Sequence, residues 1–242
     1  MIKPLEFGGN AFPPNVRMLY DMKNVLYDQE WLKTAQNFPV YFFFRNLYLN
    51  EKHKMVAKKH GIQYDITIIP PRMLGAEFTK TIGHHHPIVP GTNISYPELY
   101  QVLEGKATCL LHKEENGNAK DVIIIHASAD DIVIIPPHYS HITINETKKP
   151  LKMSNWVSSS FTSIYDRIAK KKGGAYYILA NGKIMKNSNY GDVPLPLFMH
   201  ALDFRKVLRV DEDIYELIGH PKRLEFLTQP QNHMNLFAAF NP

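Results

Sequence analysis

Between residues 63 and 158, apolar and polar positions alternate in short runs, and turn residues interrupt each run. "QYDITIIP", "AEFTKTIGHHH", "ELYQVLEG", "KATCLLHKE", "KDVIIIHA", "DIVIIPP", "SHITIN" and "LKMSNWVS" read as strands. The breaks carry Pro70-Pro71, Gly91, Gly105, Asn116-Gly117, Asp130-Asp131 and Pro136-Pro137. Many short strands at close spacing predict a mainly β architecture, an antiparallel sandwich or barrel.

Outside this span the pattern changes. "DQEWLKTAQNF" has the spacing of a short helix, with Asp28 as its cap and Pro39 beyond it. "VYFFFRNLYL" is aromatic-rich and strand-like, and too apolar to be left as a bare edge. "SIYDRIAKKKGG" predicts a helix ending at Gly173-Gly174, and "AYYILANGKIMKN" a hairpin turning at Asn181-Gly182. The tail beyond Pro194 is richer in helical spacing, with "IYELIGHPKRLEFLTQ" interrupted at Pro221. A single domain over 1–242 is expected: a β-barrel core at about 63–158, an N-terminal extension over 1–62, and a C-terminal hairpin and helical tail over 159–242.

Composition narrows the class. The 242 residues are 44% hydrophobic and 21% charged, ordinary for a globular chain. The single cysteine, Cys109, excludes an internal disulfide and fits a reducing compartment. "MIKPLEFGGN" lacks the apolar core of a signal peptide, and runs such as "VIII" and "IVII" are too short to cross a bilayer. A cytoplasmic protein with no membrane partner is expected. The net charge of +5 is spread along the chain. Its one dense run, Lys170 to Lys172, precedes two glycines and reads as a helix end, so no nucleic-acid partner is expected.

Candidate chemistry gathers around "TIGHHHP". In an extended segment His84 and His86 share one face, and His85 takes the other. Glu98 stands where a strand restarts, and "IPPHYSHITIN" places His138 and His141 after a Pro-Pro turn. Alone, an H-x-H is most often a surface pair, a glutamate at a strand start is solvated, and Pro-Pro-His is a turn. Their order and spacing together are far more specific. A barrel brings strand ends to one mouth, where three imidazoles and a carboxylate suit a divalent transition metal with positions left open for substrate. Inside its strand, His141 is the better ligand; His138 reads as a rim residue. His53, His60, His112, His126, His200, His220 and His233 fall in no pattern and receive no role.

Taken together, "EFTKTIGHHHP", "YPELYQVLEGK" and "VIIPPHYSHITIN" resemble the cupin superfamily, and within it the cupin-type glucose-6-phosphate isomerases of archaea and some bacteria. Flanking segments "RMLYDM" and "YDRIAKKKGGAYYILANGKI" extend the likeness to roughly residues 15–190, leaving the tail unmatched. The resemblance implies a cupin fold (a double-stranded β-helix or jelly-roll barrel) with N-terminal and C-terminal helical extensions. It implies one divalent metal per chain on His84, His86, Glu98 and His141, with Fe2+ ahead of Mn2+, Zn2+ and Ni2+. A sugar-phosphate substrate would lie in a cradle of Thr67, Thr81, Gly83 and Tyr165. Hydroxyl donors and a glycine amide can surround a phosphate without a bulky side chain intervening. A homodimer and a place in glycolysis and gluconeogenesis are implied as well.

The implied reaction interconverts glucose 6-phosphate and fructose 6-phosphate. Glu98 is the candidate base for proton transfer between C1 and C2; the alternative is a metal-assisted hydride shift without a base. Two departures stand out. The loop 87–97 is longer than in compact archaeal forms, and either closes over the sugar or merely connects strands. Val157 and Ser163 fall where compact forms carry polar residues that assist at the sugar, so those roles are not carried over. The same ligand set also serves metal-dependent dioxygenases, and non-catalytic sugar-binding cupins form a third class.

Overall fold

A computed structural model describes residues 3–202 and 204–240. The N-terminal segment forms a small hairpin, β1 (Leu5–Phe7) and β2 (Asn10–Phe12), turning at Gly8-Gly9, then β3 (Asn15–Met18). A short helix α1 (Gln29–Leu32) follows, and Asp28 caps it by accepting from the Trp31 amide. Next come β4 (Pro39–Phe44) and α2 (Glu51–His60), a helix bounded by Asn50 as N-cap and left-handed Gly61 as C-cap. The strand series then runs β5 (Ile62–Ile69), β6 (Met73–Leu74), β7 (Glu77–Lys80), β8 (Glu98–Glu104), β9 (Lys106–Glu115), β10 (Asn118–Ser128), β11 (Ile132–Ile135), β12 (Tyr139–Asn145) and β13 (Leu151–Ser158).

These strands form two six-stranded sheets, β11-β8-β13-β5-β4-β3 and β16-β10-β9-β12-β7-β6, where β16 is Leu197–His200. Every pair is antiparallel except β10–β16. From β7 to β13 the chain passes repeatedly between the sheets, the jelly-roll course of a cupin. Strands from outside 63–158 complete both sheets. β4 lies between β5 and β3, so the aromatic run is covered within the chain.

After the barrel, α3 (Asp166–Lys170) ends where Gly173 donates to the Ile168 carbonyl. β14 (Tyr176–Ile178) and β15 (Ile184–Lys186) form the expected hairpin, with Gly182 at φ +81° and the Asn181 side chain accepting from the Lys183 amide. The tail holds one short α-helix, α4 (Arg205–Leu208), and then 3-10 turns over Ile214–Gly219, Pro221–Leu227, Pro230–Asn232 and Met234–Phe240. Helical spacing is present there, but prolines at 221 and 230 restart each turn before an α-helix can propagate. This tail seals the outer face of the first sheet. Trp156, fully buried, donates to the Ile214 carbonyl at 2.7 Å, and Gln101 bonds the Glu212 carbonyl and the Ile214 amide. The N-terminal segment is pinned similarly, with buried Lys80 donating to the Val25 carbonyl and Glu77 accepting from the Tyr27 amide. Among the described residues no helix is long and apolar enough to cross a membrane.

Candidate metal centre

The alternation that seats the core also aims the polar side chains. Glu98 and Tyr100 on β8, Asn155 and Val157 on β13, and Asp65 and Thr67 on β5 face one cavity of about 280 Å³ between the sheets. The opposite wall is built by "TIGHHHP". That stretch is extended, and His84 exchanges both backbone hydrogen bonds with His141, at 3.2 and 3.1 Å. This bridge fixes the register: His84, His86 and His141 turn to the cavity, and His85 turns away.

Four ligand atoms converge, all within 4.8 Å of one another. The Nε2 atoms of His84 and His86 stand 3.1 Å apart. Glu98 Oε2 lies 3.2 Å from His141 Nε2, 3.4 Å from His86 Nε2 and 3.9 Å from His84 Nε2. That oxygen is buried without a hydrogen-bond partner, while its twin, Oε1, accepts from Asn155 Nδ2 at 2.7 Å. A buried carboxylate oxygen left unpaired among imidazole nitrogens fits a cation at that point.

Protonation favours the same reading. Burial, with His141 and His86 adding to it, holds His84 well below the ordinary imidazole range. Burial also lowers His86 to about 4, against an opposing pull from Glu98. Burial alone would raise Glu98, but His141 and His86 outweigh it and keep the carboxylate charged. His84 and His86 are therefore neutral and Glu98 anionic near pH 7, the forms that bind metal. His86 Nδ1–H donates to the Tyr96 carbonyl at 2.9 Å, which fixes the tautomer with Nε2 free for a ligand bond. Tyr96 belongs to the loop 87–97, which folds back on itself through Ile88 and Ser95 and stays out of the cavity. The loop thus orients the His86 ring. Phe161 completes the support by packing on both His86 and Tyr96.

Thr67, Thr81 and Tyr165 line the same cavity. Gly83 does not line it. With φ at +78°, a Cβ there would collide with Ile142 and Ile168, and its buried amide makes no backbone hydrogen bond among the described residues. His138, expected at the rim, lines a separate cavity with His85, Lys113 and Arg167. Its amide donates to Ser95 Oγ at 2.6 Å. Tyr41, Arg45, Asp65 and Asn155 line it without carrying a motif in the sequence, and Arg17, within "RMLYDM", lines it without a role read from the sequence. Arg17 Nε donates to the Tyr41 hydroxyl at 3.3 Å, and its guanidinium lies 5.5 Å from the Tyr165 ring. Strand alternation alone could have flagged Asn155, two residues before Val157 on the same face.

The profile of the family described as glucose-6-phosphate isomerase matches residues 16–195. The chain belongs to that family. It is 30% identical over 177 residues to a glucose-6-phosphate isomerase of Thermococcus litoralis, covering 72% of this chain and 85% of the relative. Over 172 residues it is 27% identical to the enzyme of that name from Pyrococcus furiosus, covering 70% and 83%. Among solved structures, an oxalate decarboxylase from Lactobacillus farciminis in its formate complex is similar at a TM-score of 0.38 and 18% identity, over 53% of this chain and 31% of that one. The family match ends at residue 195, before the Glu212–Ile214 segment to which this chain ties Trp156 and Gln101.

Proposed function

We propose that this chain is a metal-dependent glucose-6-phosphate isomerase, interconverting glucose 6-phosphate and fructose 6-phosphate. The observation that carries the reading is the convergence of His84, His86, His141 and the unpaired Glu98 oxygen in the cavity that also presents Thr67, Thr81 and Tyr165. His84, His86, Glu98 and His141 would hold one divalent ion, with Fe2+ ahead of Mn2+, Zn2+ and Ni2+. Such an ion supplies Lewis acidity to the substrate's carbonyl.

The chain's own groups do the rest. Thr67, Thr81 and Tyr165 hold the phosphate, without Gly83, which lies behind the cavity wall, and the adjacent Arg17 adds positive charge to balance a dianion. Glu98 is the candidate base that would take a proton and return it between C1 and C2. Tyr100, whose hydroxyl lies 3.4 Å from His141 Nε2, is kept protonated by burial and by Glu98, so it remains a donor.

The whole chain is read as one cupin unit over 1–242, of which residues 1, 2, 203, 241 and 242 lie outside the described residues. A homodimer belongs to the same reading; Leu197 and Phe198, 46% and 53% exposed on edge strand β16, support it. So does a reducing, cytoplasmic setting for the one buried cysteine.

A coupled assay on fructose 6-phosphate, run before and after chelation and metal return, tests the reading. Turnover that disappears with chelator and returns with metal is expected. Turnover that ignores chelation would sink the metal, and no turnover with the metal-loaded protein would sink the isomerase. Oxygen consumption in that last case would favour the dioxygenase.

A further inference from the structure

Arg45 directly follows β4 and projects into the cavity beside Phe43, its guanidinium 5.0 Å from that ring. One nitrogen, Nη1, meets Asp65 Oδ2 at 2.7 Å. Asp65 is devoted to this contact. Its side chain is 3% exposed, and its remaining donors, the Asn46 amide at 2.9 Å and Gln63 Nε2 at 2.9 Å, fix the carboxylate in place. A buried carboxylate with this many donors is a rigid anchor, and a guanidinium offers five N–H donors. Among the described residues the other Arg45 nitrogens have no protein partner. The side chain is 42% exposed and lines the cavity.

Sheet register places this free edge. Val157 pairs with Glu98 on one side and Gln63 on the other, so these three share a row at the metal ligands. Met153 pairs with Thr67, and Thr67 with Phe43, forming the row that holds Thr67 of the phosphate cradle. Asn155 pairs with Tyr100 and Asp65 in the row between them. The Arg45–Asp65 pair therefore sits between the Thr67 row and the Glu98 row. Arg45 is also close enough to interact electrostatically with both Tyr165 and Glu98. The neighbouring Val157 supplies no hydrogen-bonding side chain to this stretch.

We propose that Arg45 is a further substrate-contacting residue, donating to the hydroxyl oxygens of the sugar chain between its phosphate and its reacting carbons, and that Asp65 is its positioning residue. The inference rests on the isomerase reading. The ligand class is a phosphorylated polyhydroxy chain, and the contact selects for hydroxyls at the middle carbons. A site built to pair such hydroxyls rejects analogues that lack or misplace them, because its own donors are then left unpaired.

Two variants keep the test clear of misfolding. Arg45→Lys retains a cation against Asp65 but gives up the planar fork. The double variant Arg45→Met/Asp65→Asn removes the pair together, so no buried charge is stranded. Metal content, melting temperature, kcat/KM on fructose 6-phosphate and its 4-epimer, and the inhibition constant of inorganic phosphate are measured for each. Both variants should bind metal as the parent does and lose roughly 10-fold or more in kcat/KM on fructose 6-phosphate, with preference over the epimer reduced alongside. The phosphate inhibition constant should weaken by less than kcat/KM does, because Thr67 stands one row away and Tyr165 is the cradle group within electrostatic reach of Arg45. Parental kcat/KM in either folded variant would overturn the assignment, as would a phosphate constant that weakens by the same factor as kcat/KM. If the metal-loaded parent itself does not turn over fructose 6-phosphate, the isomerase reading falls first and takes this contact with it.

Discussion

Asn155 Nδ2 donates to Glu98 Oε1 at 2.7 Å, and this contact decides which oxygen of Glu98 faces the three imidazoles. With Oε1 engaged, Oε2 is turned toward His141 and His86 and has no donor of its own. Partners of this kind orient a ligand and hold its charge, and losing one typically costs about 10–100-fold in metal affinity. Asn155→Ala should therefore weaken metal binding by that order in a chelator-competition titration while the chain stays folded. Parental affinity in the variant would remove Asn155 from the site.

The His84–His141 backbone bridge makes a sharper claim about neighbours in sequence. His141→Ala should lose metal and activity together. His85→Ala should keep both, since that ring points to the other side, 3.5 Å from Ser140 Oγ. Metal analysis of the two purified variants checks this. Equal loss in both would mean that the strand is slipped by one residue, which exchanges the faces.

Period-two alternation makes this part of the site legible in the sequence. It predicts that His84 and His86 point together, and the strands of 63–158, the Asn181-Gly182 turn and the Gly173 helix end follow from equally local signals. Contacts between distant segments were not legible. Arg45 and Asp65 are 20 residues apart, in segments that are unremarkable when read separately, and only the β4–β5 register joins them. β16 was missed because a four-residue strand in a proline-interrupted tail has no pattern to read, and its parallel pairing with β10 is set by tertiary packing. α2 escaped because it buries no residue fully, so it lacks an apolar stripe. The sequence leaves two alternatives open for the loop 87–97; in the structure it ties to His86 through the Tyr96 carbonyl and does not line the cavity.

The cradle is tested apart from the metal. Tyr165→Phe removes one hydroxyl, and Thr81→Val removes another that also accepts from the Thr143 amide at 3.0 Å. A hydrogen bond to a charged group is worth roughly 1.5–3 kcal/mol, so KM for the sugar phosphate should rise about 10-fold or more in each variant with bound metal unchanged. Thr81→Val should in addition melt at a lower temperature, because it strands the Thr143 donor. Unchanged KM in both would dissolve the cradle.

His112 gives a pH test outside the ligand set. Its Nε2 bonds the Tyr190 hydroxyl at 3.0 Å, its Nδ1 is buried without a partner, and burial, with His141 adding slightly, lowers its pKa to about 3. Unfolded, the same imidazole titrates near 6.5. Between those values the unfolded chain binds a proton that the folded chain refuses. Stability is thus intact above about pH 6.5 and falls with acid, by up to about 1.4 kcal/mol per pH unit for this one group. His112→Gln cannot take up that proton. Denaturant unfolding with chelator present should show the variant losing about 2 kcal/mol less than the parent between pH 7 and pH 5. Identical slopes would mean that His112 is protonated in the folded chain.

Glu98 has two jobs to separate, ligand and base. Glu98→Gln keeps the shape, and its amide oxygen can still face the metal position, but it gives up the carboxylate that would carry a proton. Asn155 complicates the swap in an informative way. It is a donor, so it selects the glutamine oxygen at the Oε1 position and leaves the amide NH2 among the imidazoles. The variant's metal content must therefore be measured first, and Asn155→Asp restores an acceptor if the metal is lost. In the metal-replete variant, a base role predicts a fall in kcat of about 10²-fold or more. It also predicts that turnover by the parent in D2O places some deuterium at C2, since a proton held by a carboxylate can exchange before it returns. A metal-replete variant that stays active, with no label entering in the parent, leaves Glu98 as a ligand only and favours the hydride shift. Absence of label does not decide alone, because the Glu98 side chain is 5% exposed and a sheltered carboxylate can return the proton it took. The kcat of the variant then carries the decision.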